Sequence, residues 1–295
     1  MRSGVIIALA AGASAHGVVR SIEGDNGVTM PGLGIVDGTP RNCFANTCGS
    51  QADTAIMRDA EMKSGKYGAL GWNQGKGNIW PETVMGVFMG EHHDIPKNEG
   101  ASGATGVEDV IPFGLENATS RMLNHKRNVQ LIDKRQNSNF LSNMVKTIAN
   151  LPIIGFAGAD GKITNYPTET MVSDTAGAGA KSGLPTPDKD GIISMVYRQV
   201  NQDGAGPVSA AIDYTSGGLD HAQFYGAPVT QQVPGLGLLG LSIAVNTDYV
   251  VKVRTDTSKR CTGTVGNTTN VCVARIRNGA NAGPFGGCVA FTNRD

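Results

Sequence analysis

From Ile192 onwards the chain is cut into short β-branched and apolar runs at even spacing, with glycine, asparagine and proline between them. That pattern constrains the fold more than any other feature of the sequence. Ile192-Ile193-Ser194-Met195-Val196-Tyr197, Ser209 to Tyr214, Tyr249 to Arg254, Val271 to Ile276 and Cys288 to Phe291 all have strand length and strand residue types. Short strands separated by turn signals predict a β-sandwich. Glycine supplies the turns: 41 Gly and 13 Pro in 295 residues favour short strands over long helices. The 40% hydrophobic share is enough to build a core, although only 5% of residues are aromatic.

The upstream stretches carry less pattern. Between His16 and about Gly90, small apolar pieces alternate with the turns Gly24-Asp25-Asn26-Gly27 and Pro31-Gly32-Leu33-Gly34. The segment Ser50 to Lys66 fits a helix, with Ala52, Ile56 and Ala60 at helical spacing behind a serine cap. Residues 91–190 read as a polar insert containing Gly100 to Gly106, a mixed segment from Glu116 to Asn150 with a short helix expected over Phe140 to Ile148, and a loose run from Thr175 to Asp190. The expected organisation is a leader at 1–15 and a single mainly β domain at 16–295, an immunoglobulin-like sandwich with a long irregular insert and short helices.

The leader is read from its three parts. Met1-Arg2 is a basic start, Val5 to Ala11 an apolar run, and Ala13-Ser14-Ala15 a small-x-small cleavage site. The run is too short to span a bilayer, which takes roughly 20 apolar residues, and no later segment supplies one. A secreted, extracellular monomer without membrane insertion is expected. With Arg2 removed, 24 basic residues face 25 acidic ones. Neither the basic excess of a nucleic-acid binder nor the polybasic stripe of a membrane-surface protein is present.

Cleavage after Ala15 would make His16 the first residue, followed by Gly17. A terminal histidine offers its α-amine and its imidazole Nδ1 within chelating distance of one metal ion, and a second imidazole completes a nitrogen-rich, T-shaped site of the kind that suits copper. His92 and His93 are adjacent, so on a strand only one could join His16, and Glu91 and Asp94 beside them suggest a solvated loop. His125, among Asn124, Lys126 and Arg127, reads as exposed. His221, in Asp220-His221-Ala222-Gln223-Phe224-Tyr225, is the remaining candidate ligand, with a hydrogen-bonded strand-end histidine as its plainer reading.

Cysteine usage agrees with export. Cys43, Cys48, Cys261, Cys272 and Cys288 are not spaced as a zinc motif, and disulfides are the natural reading in an oxidising compartment. Proximity suggests Cys43 with Cys48, and Cys261 with Cys272 across a turn at Gly266-Asn267-Thr268, leaving Cys288 over; other pairings remain open. Asn117 and Asn267 stand in glycosylation acceptor triplets.

Hydrolytic chemistry finds little support. Glu23, Asp25, Glu82, Asp203 and Asp220 are available as carboxylates, but single acidic residues in glycine-rich turns usually shape the turn. No Gly-x-Ser-x-Gly elbow, His-Glu-x-x-His helix or phosphate loop occurs. Trp72 and Trp80, near Tyr67, could stack on polysaccharide from the surface or anchor the core.

Three long strings carry a family resemblance: Gln199-Val200-Asn201-Gln202-Asp203-Gly204-Ala205-Gly206-Pro207; Cys261 to Val265 with Asn270 to Arg275; and Ala282-Gly283-Pro284-Phe285-Gly286-Gly287-Cys288. With the opening His16-Gly17-Val18-Val19, they resemble the fungal appressorium-specific secreted proteins, the Egh-like or Gas/Mas virulence factors. The resemblance covers both ends of the mature chain well and 91–190 poorly. It implies a secreted fungal virulence factor acting at host penetration.

The terminal histidine, the β-rich C-terminal half and the Gly-Pro-Phe-Gly-Gly-Cys ending are also similar to lytic polysaccharide monooxygenases. That resemblance implies copper at His16, a monooxygenase-like sandwich and Phe285 as the ring on the axial side of the metal. The short element Gln223-Phe224-Tyr225 beside His221 is similar to one that lines copper in some of those enzymes. Where the virulence family usually carries a histidine that would be the second ligand, this chain has Arg198, whose guanidinium has no lone pair to give a metal. Two functions follow: binding of cell-wall polysaccharide or a host surface component, or copper-dependent oxidation of polysaccharide with His16 and His221 as ligands. Arg198 favours the first, and whether the protein is an enzyme stays open at this point.

Overall fold

Strand β11 (Thr247–Arg254) shows how the sequence builds the fold. Tyr249, Val251 and Val253 are buried while the alternate residues Val250, Lys252 and Arg254 are exposed or half-buried, so a period of two turns one apolar face inward. Its neighbour β7 (Ile192–Gln199) does the same with Ile193, Met195 and Tyr197, and the strands pair antiparallel with Val251 opposite Met195 and Tyr249 opposite Tyr197. In this computed structural model the described residues are 16–44, 48–98, 161–201, 204–235, 244–280 and 283–294. All of them belong to one compact unit, made of 1–109 with 158–295. The leader, most of the insert with Asn117, His125 and the helix expected at 140–148, and Asp203 lie outside the described residues.

The protein is mainly β, a sandwich of two antiparallel sheets. Sheet 1 runs β10 (Val229–Gln231), β11, β7, β1 (Gly17–Glu23) and β2 (Thr29–Pro31), with β6 (Lys162–Ile163) paired to β11. Sheet 2 runs β5 (Gly77–Asn78), β4 (Trp72–Asn73), β3 (Ala55–Ile56), β14 (Phe285–Phe291), β13 (Thr268–Arg277), β8 (Ser209–Asp213) and β9 (Phe224–Ala227), with β12 (Gly263–Val265) paired to β13. The shared core joins Val19, Ile22, Met195, Tyr197 and Val251 of sheet 1 to Ile212, Ala274, Ile276, Val289 and Phe291 of sheet 2. Each fully buried Val, Ile or Phe contributes roughly 1.5–3 kcal/mol.

Two expectations are corrected. Ser50 to Lys66 is not one helix: Ala55–Ile56 is a strand paired with Phe285 and Gly286, and the helix α1 is confined to Asp59–Lys63. Pairing with a strand 230 residues away overrides a local helical spacing, which is how tertiary context commonly defeats propensity. The helix that was not expected is α2 (Pro81–Met89). Its signals are present in the sequence: proline at the first position, Glu82 in the first turn, and Gly90 closing the end at φ 72°. The run from Thr175 to Asp190 also contains a helical turn at Gly179–Ser182.

The cysteines pair as Cys43–Cys48 and Cys261–Cys272, and Cys288 is free and buried. β12 and β13 form a hairpin whose two-residue turn has Gly266 at φ 56° and exposes Asn267. Glu91 is not merely solvated: its carboxylate accepts the Asn267 N–H and the Thr268 hydroxyl and holds this turn. Among the described residues no helix is long and apolar enough to cross a membrane.

Candidate functional site

His16 immediately precedes β1 and is buried. Its backbone N–H donates to Asn201 Oδ1 at 2.8 Å, and Asn201 Nδ2 lies 3.1 Å from His16 Nδ1. Its carbonyl accepts the Val200 N–H at 3.0 Å. Phe285 packs against the imidazole, ring centroids 4.9 Å apart and tilted by 47°. Two glycines make this possible. A Cβ on Gly204 would collide with the His16 carbonyl, and one on Gly17 would collide with the hydroxyl of Tyr197, which donates to the Gly204 carbonyl at 2.8 Å. Burial pushes the Tyr197 phenol above its usual range, so it stays a neutral donor. The structure therefore brings His16 and Phe285 together. It adds Asn201, which stood in the sequence as part of a resembling string with no role attached.

Arg198 follows Tyr197 on β7 and so points to the opposite, outer face of sheet 1. Its guanidinium donates to Thr164 Oγ1 (2.6 Å), the Arg41 carbonyl (2.6 Å), Asp248 Oδ1 (3.1 Å), the Thr164 carbonyl (3.2 Å) and Asn246 Oδ1 (3.2 Å). Around it, Arg20 reaches Asp248 at 3.1 Å and Glu169 at 3.5 Å, while Arg41 bonds Glu169 at 3.0 Å and Asp53. Three arginines thus meet three carboxylates. Burial alone would raise the Glu169 carboxyl, but Arg41 and Arg20 beside it bring it below its usual range. A polar cleft of about 280 Å³ opens over this network, between Arg20, Tyr166, Thr170 and Asp174.

His221 lies elsewhere. It starts a 3-10 turn (His221–Gln223) capped by Asp220, and its Nδ1 is 3.2 Å from Arg275 Nη1. Arg275 pairs in register with Cys288, three residues beyond Phe285 on β14, so it stands on the face of sheet 2 opposite to Phe285. Gly287, on the Phe285 side, abuts Val19 of β1. His221 therefore belongs to the outer face of sheet 2 and His16 to the side that meets β1. Desolvation, followed by the Arg275 charge, lowers the His221 pKa from its usual value. His92 bonds the Glu82 carbonyl through Nε2 at 2.9 Å.

The tryptophans divide. Trp72 is half-buried and stacks on Tyr67 at 5.0 Å. Trp80 is 42% exposed and, with Lys76, Asn78 and Thr83, lines a shallow depression before α2.

Copper fits these residues incompletely. After cleavage at Ala15, His16 would supply two nitrogens and Phe285 the ring, but Arg198 is committed to five acceptors and His221 is on the far face of sheet 2. Among the described residues no cluster of three His, Cys, Asp or Glu side chains suits a metal ion.

Fold and site together define a class: a disulfide-tied antiparallel β-sandwich with a histidine clamped where β1 begins and a proline-phenylalanine strand packed on it. The family described as Egh16-like virulence factor matches residues 14–286, and the chain belongs to that family. It is 42% identical over 278 residues to the appressoria-specific virulence factor GAS2 of Pyricularia oryzae, covering 94% of this chain and 83% of that protein. It is 39% identical over 123 residues to GAS1 of the same fungus, covering 42% of this chain and 45% of that protein. No solved structure matches.

Proposed function

We propose that this is a secreted fungal virulence-associated protein that acts at host penetration by binding cell-wall polysaccharide. Membership of the virulence family and the two disulfides support the setting. The observation that carries the binding reading is Trp80, a large ring left 42% exposed beside Lys76, Asn78 and Thr83. A ring face with hydrogen-bonding groups at its rim is what an uncharged sugar polymer takes, and the near balance of 24 basic against 25 acidic residues once Arg2 is removed suits a neutral partner. Retention on insoluble chitin or β-glucan is expected, with a loss of about tenfold or more in Trp80→Ala. Failure to be retained on either polymer would leave only a host surface component as partner.

A second reading, copper-dependent oxidation of the same polymer, is favoured by the Phe285 ring against His16. It predicts one tightly held copper per mature chain, abolished by His16→Ala and measured by calorimetry.

A further inference from the structure

The two His16 nitrogens that a chelate would need both face one side chain. The backbone N can only donate, so the Asn201 atom facing it, 2.8 Å away, is Oδ1. That fixes Nδ2 as the atom facing Nδ1 at 3.1 Å, and since an amide Nδ2 can only donate, Nδ1 is the acceptor and the imidazole carries its proton on Nε2. The Nδ1 lone pair is thereby spent on the protein. Asn201 is itself pinned: it is buried, and its carbonyl accepts Gln199 Nε2 at 3.1 Å and the Gly204 N–H at 3.0 Å. The Val200 N–H, the missing Cβ of Gly204 and the Phe285 ring fix the rest of His16.

We propose that Asn201 is the receptor for the first residue of the processed chain, closing with two hydrogen bonds the bite that His16 would otherwise offer to a metal ion. The ligand of this site is the chain's own N-terminal histidine. After cleavage the α-ammonium still donates to Oδ1, and a charged donor strengthens that bond. The terminus then works as a structural part of the sandwich. This rests on processing between Ala15 and His16, which N-terminal sequencing of the exported protein checks separately.

The test uses the mature chain beginning at His16, with and without Asn201→Ala, titrated with copper(II) by calorimetry and followed by electron paramagnetic resonance. Wild type is expected to hold copper no more tightly than a free His-Gly-Val-Val peptide, and Asn201→Ala at least about tenfold more tightly, since both competing hydrogen bonds are lost and one alone represents roughly that factor. Tight stoichiometric binding by wild type, or no gain in Asn201→Ala, overturns the proposal. A second measurement guards against a variant that does not fold. The wild-type sequence begun at Gly17 is expected to melt about 3 °C or more below the chain begun at His16. Equal melting temperatures would mean that Asn201 holds nothing of consequence.

Discussion

Arg198 and Arg275 are counterparts. Each sits on an interior strand, on the face turned away from the other sheet, and each is buried. Their surroundings differ sharply. Arg198 gives its protons to five acceptors, one of them the Asp248 carboxylate. Arg275 meets the Ala69 carbonyl at 2.9 Å, His221 Nδ1, Met62 Sδ and the Phe224 ring; among the described residues no carboxylate hydrogen-bonds to it, Asp59 acts on it only at longer range, and its Nε has no partner. Desolvation, with Arg277 adding to it, brings Arg275 down to about 10. A buried charge that is fully answered locks the elements around it, whereas one that is not is a standing cost. Sheet 1 is locked by its arginine; sheet 2 tolerates one.

The comparison breaks first at Arg198. Replacing it with Met takes the Arg198 donor from Asp248 Oδ1, Asn246 Oδ1 and two carbonyls and leaves Asp248 to Arg20 and Thr164, and about 3 kcal/mol or more of stability should disappear in urea unfolding. A loss below about 1 kcal/mol would show that the network is not a lock. Asp248→Asn weakens the contacts to Arg198 and Arg20 without removing either arginine, so roughly 2 kcal/mol is expected from the same measurement. Arg275→Met should be close to neutral, within about 1 kcal/mol, or stabilising. If it costs as much as the change at Arg198, the asymmetry between the sheets is wrong.

Acid should separate the two faces as well. Glu169 is held low in the folded protein, so its contribution is present above the unfolded carboxylate range near 4.3 and is lost as pH falls through and below it. His221 is also held low, but a neutral imidazole must then take up a proton that the unfolded chain binds more readily. Its effect is a loss of stability that begins as pH falls below about 6.5. The ring is only partly withdrawn from solvent, so this step should stay under about 1 kcal/mol. Melting temperature followed from about pH 7 to about pH 3 should fall in two stages, and His221→Gln should erase only the first. A single stage in the wild type would argue that His221 is not held low by its desolvated place beside Arg275.

The strands after Ile192 were legible because alternation and turn residues are local information. Most ends moved outward by one to three residues, as in β13, which runs Thr268–Arg277 where Val271 to Ile276 was expected, while β8 stops at Asp213, one short of Tyr214. Ala55–Ile56 was misread because its partner, β14, is distant in the chain. The pairing of the disulfides was legible for the opposite reason. Arg198's unfitness as a metal ligand follows from its chemistry alone, but its network depends on Asp53, Thr164, Glu169 and Asp248, which no spacing connects. Asn201 was invisible in the same sense: it reaches His16 only because Gly17 pairs with Gln199 in the β1–β7 register.

Both covalent ties are short-range, joining residues five and eleven positions apart. Closing so small a ring costs little chain entropy, so each bond can form before any distant strands have met. Oxidation therefore commits the chain to nothing about how its sheets pair, and the sorting of five thiols is left to distance along the backbone. The remaining one ends beneath Met57 and Leu70, where burial keeps its proton in place. Once assembled, the fold has sealed off the one thiol that could have exchanged with its neighbours.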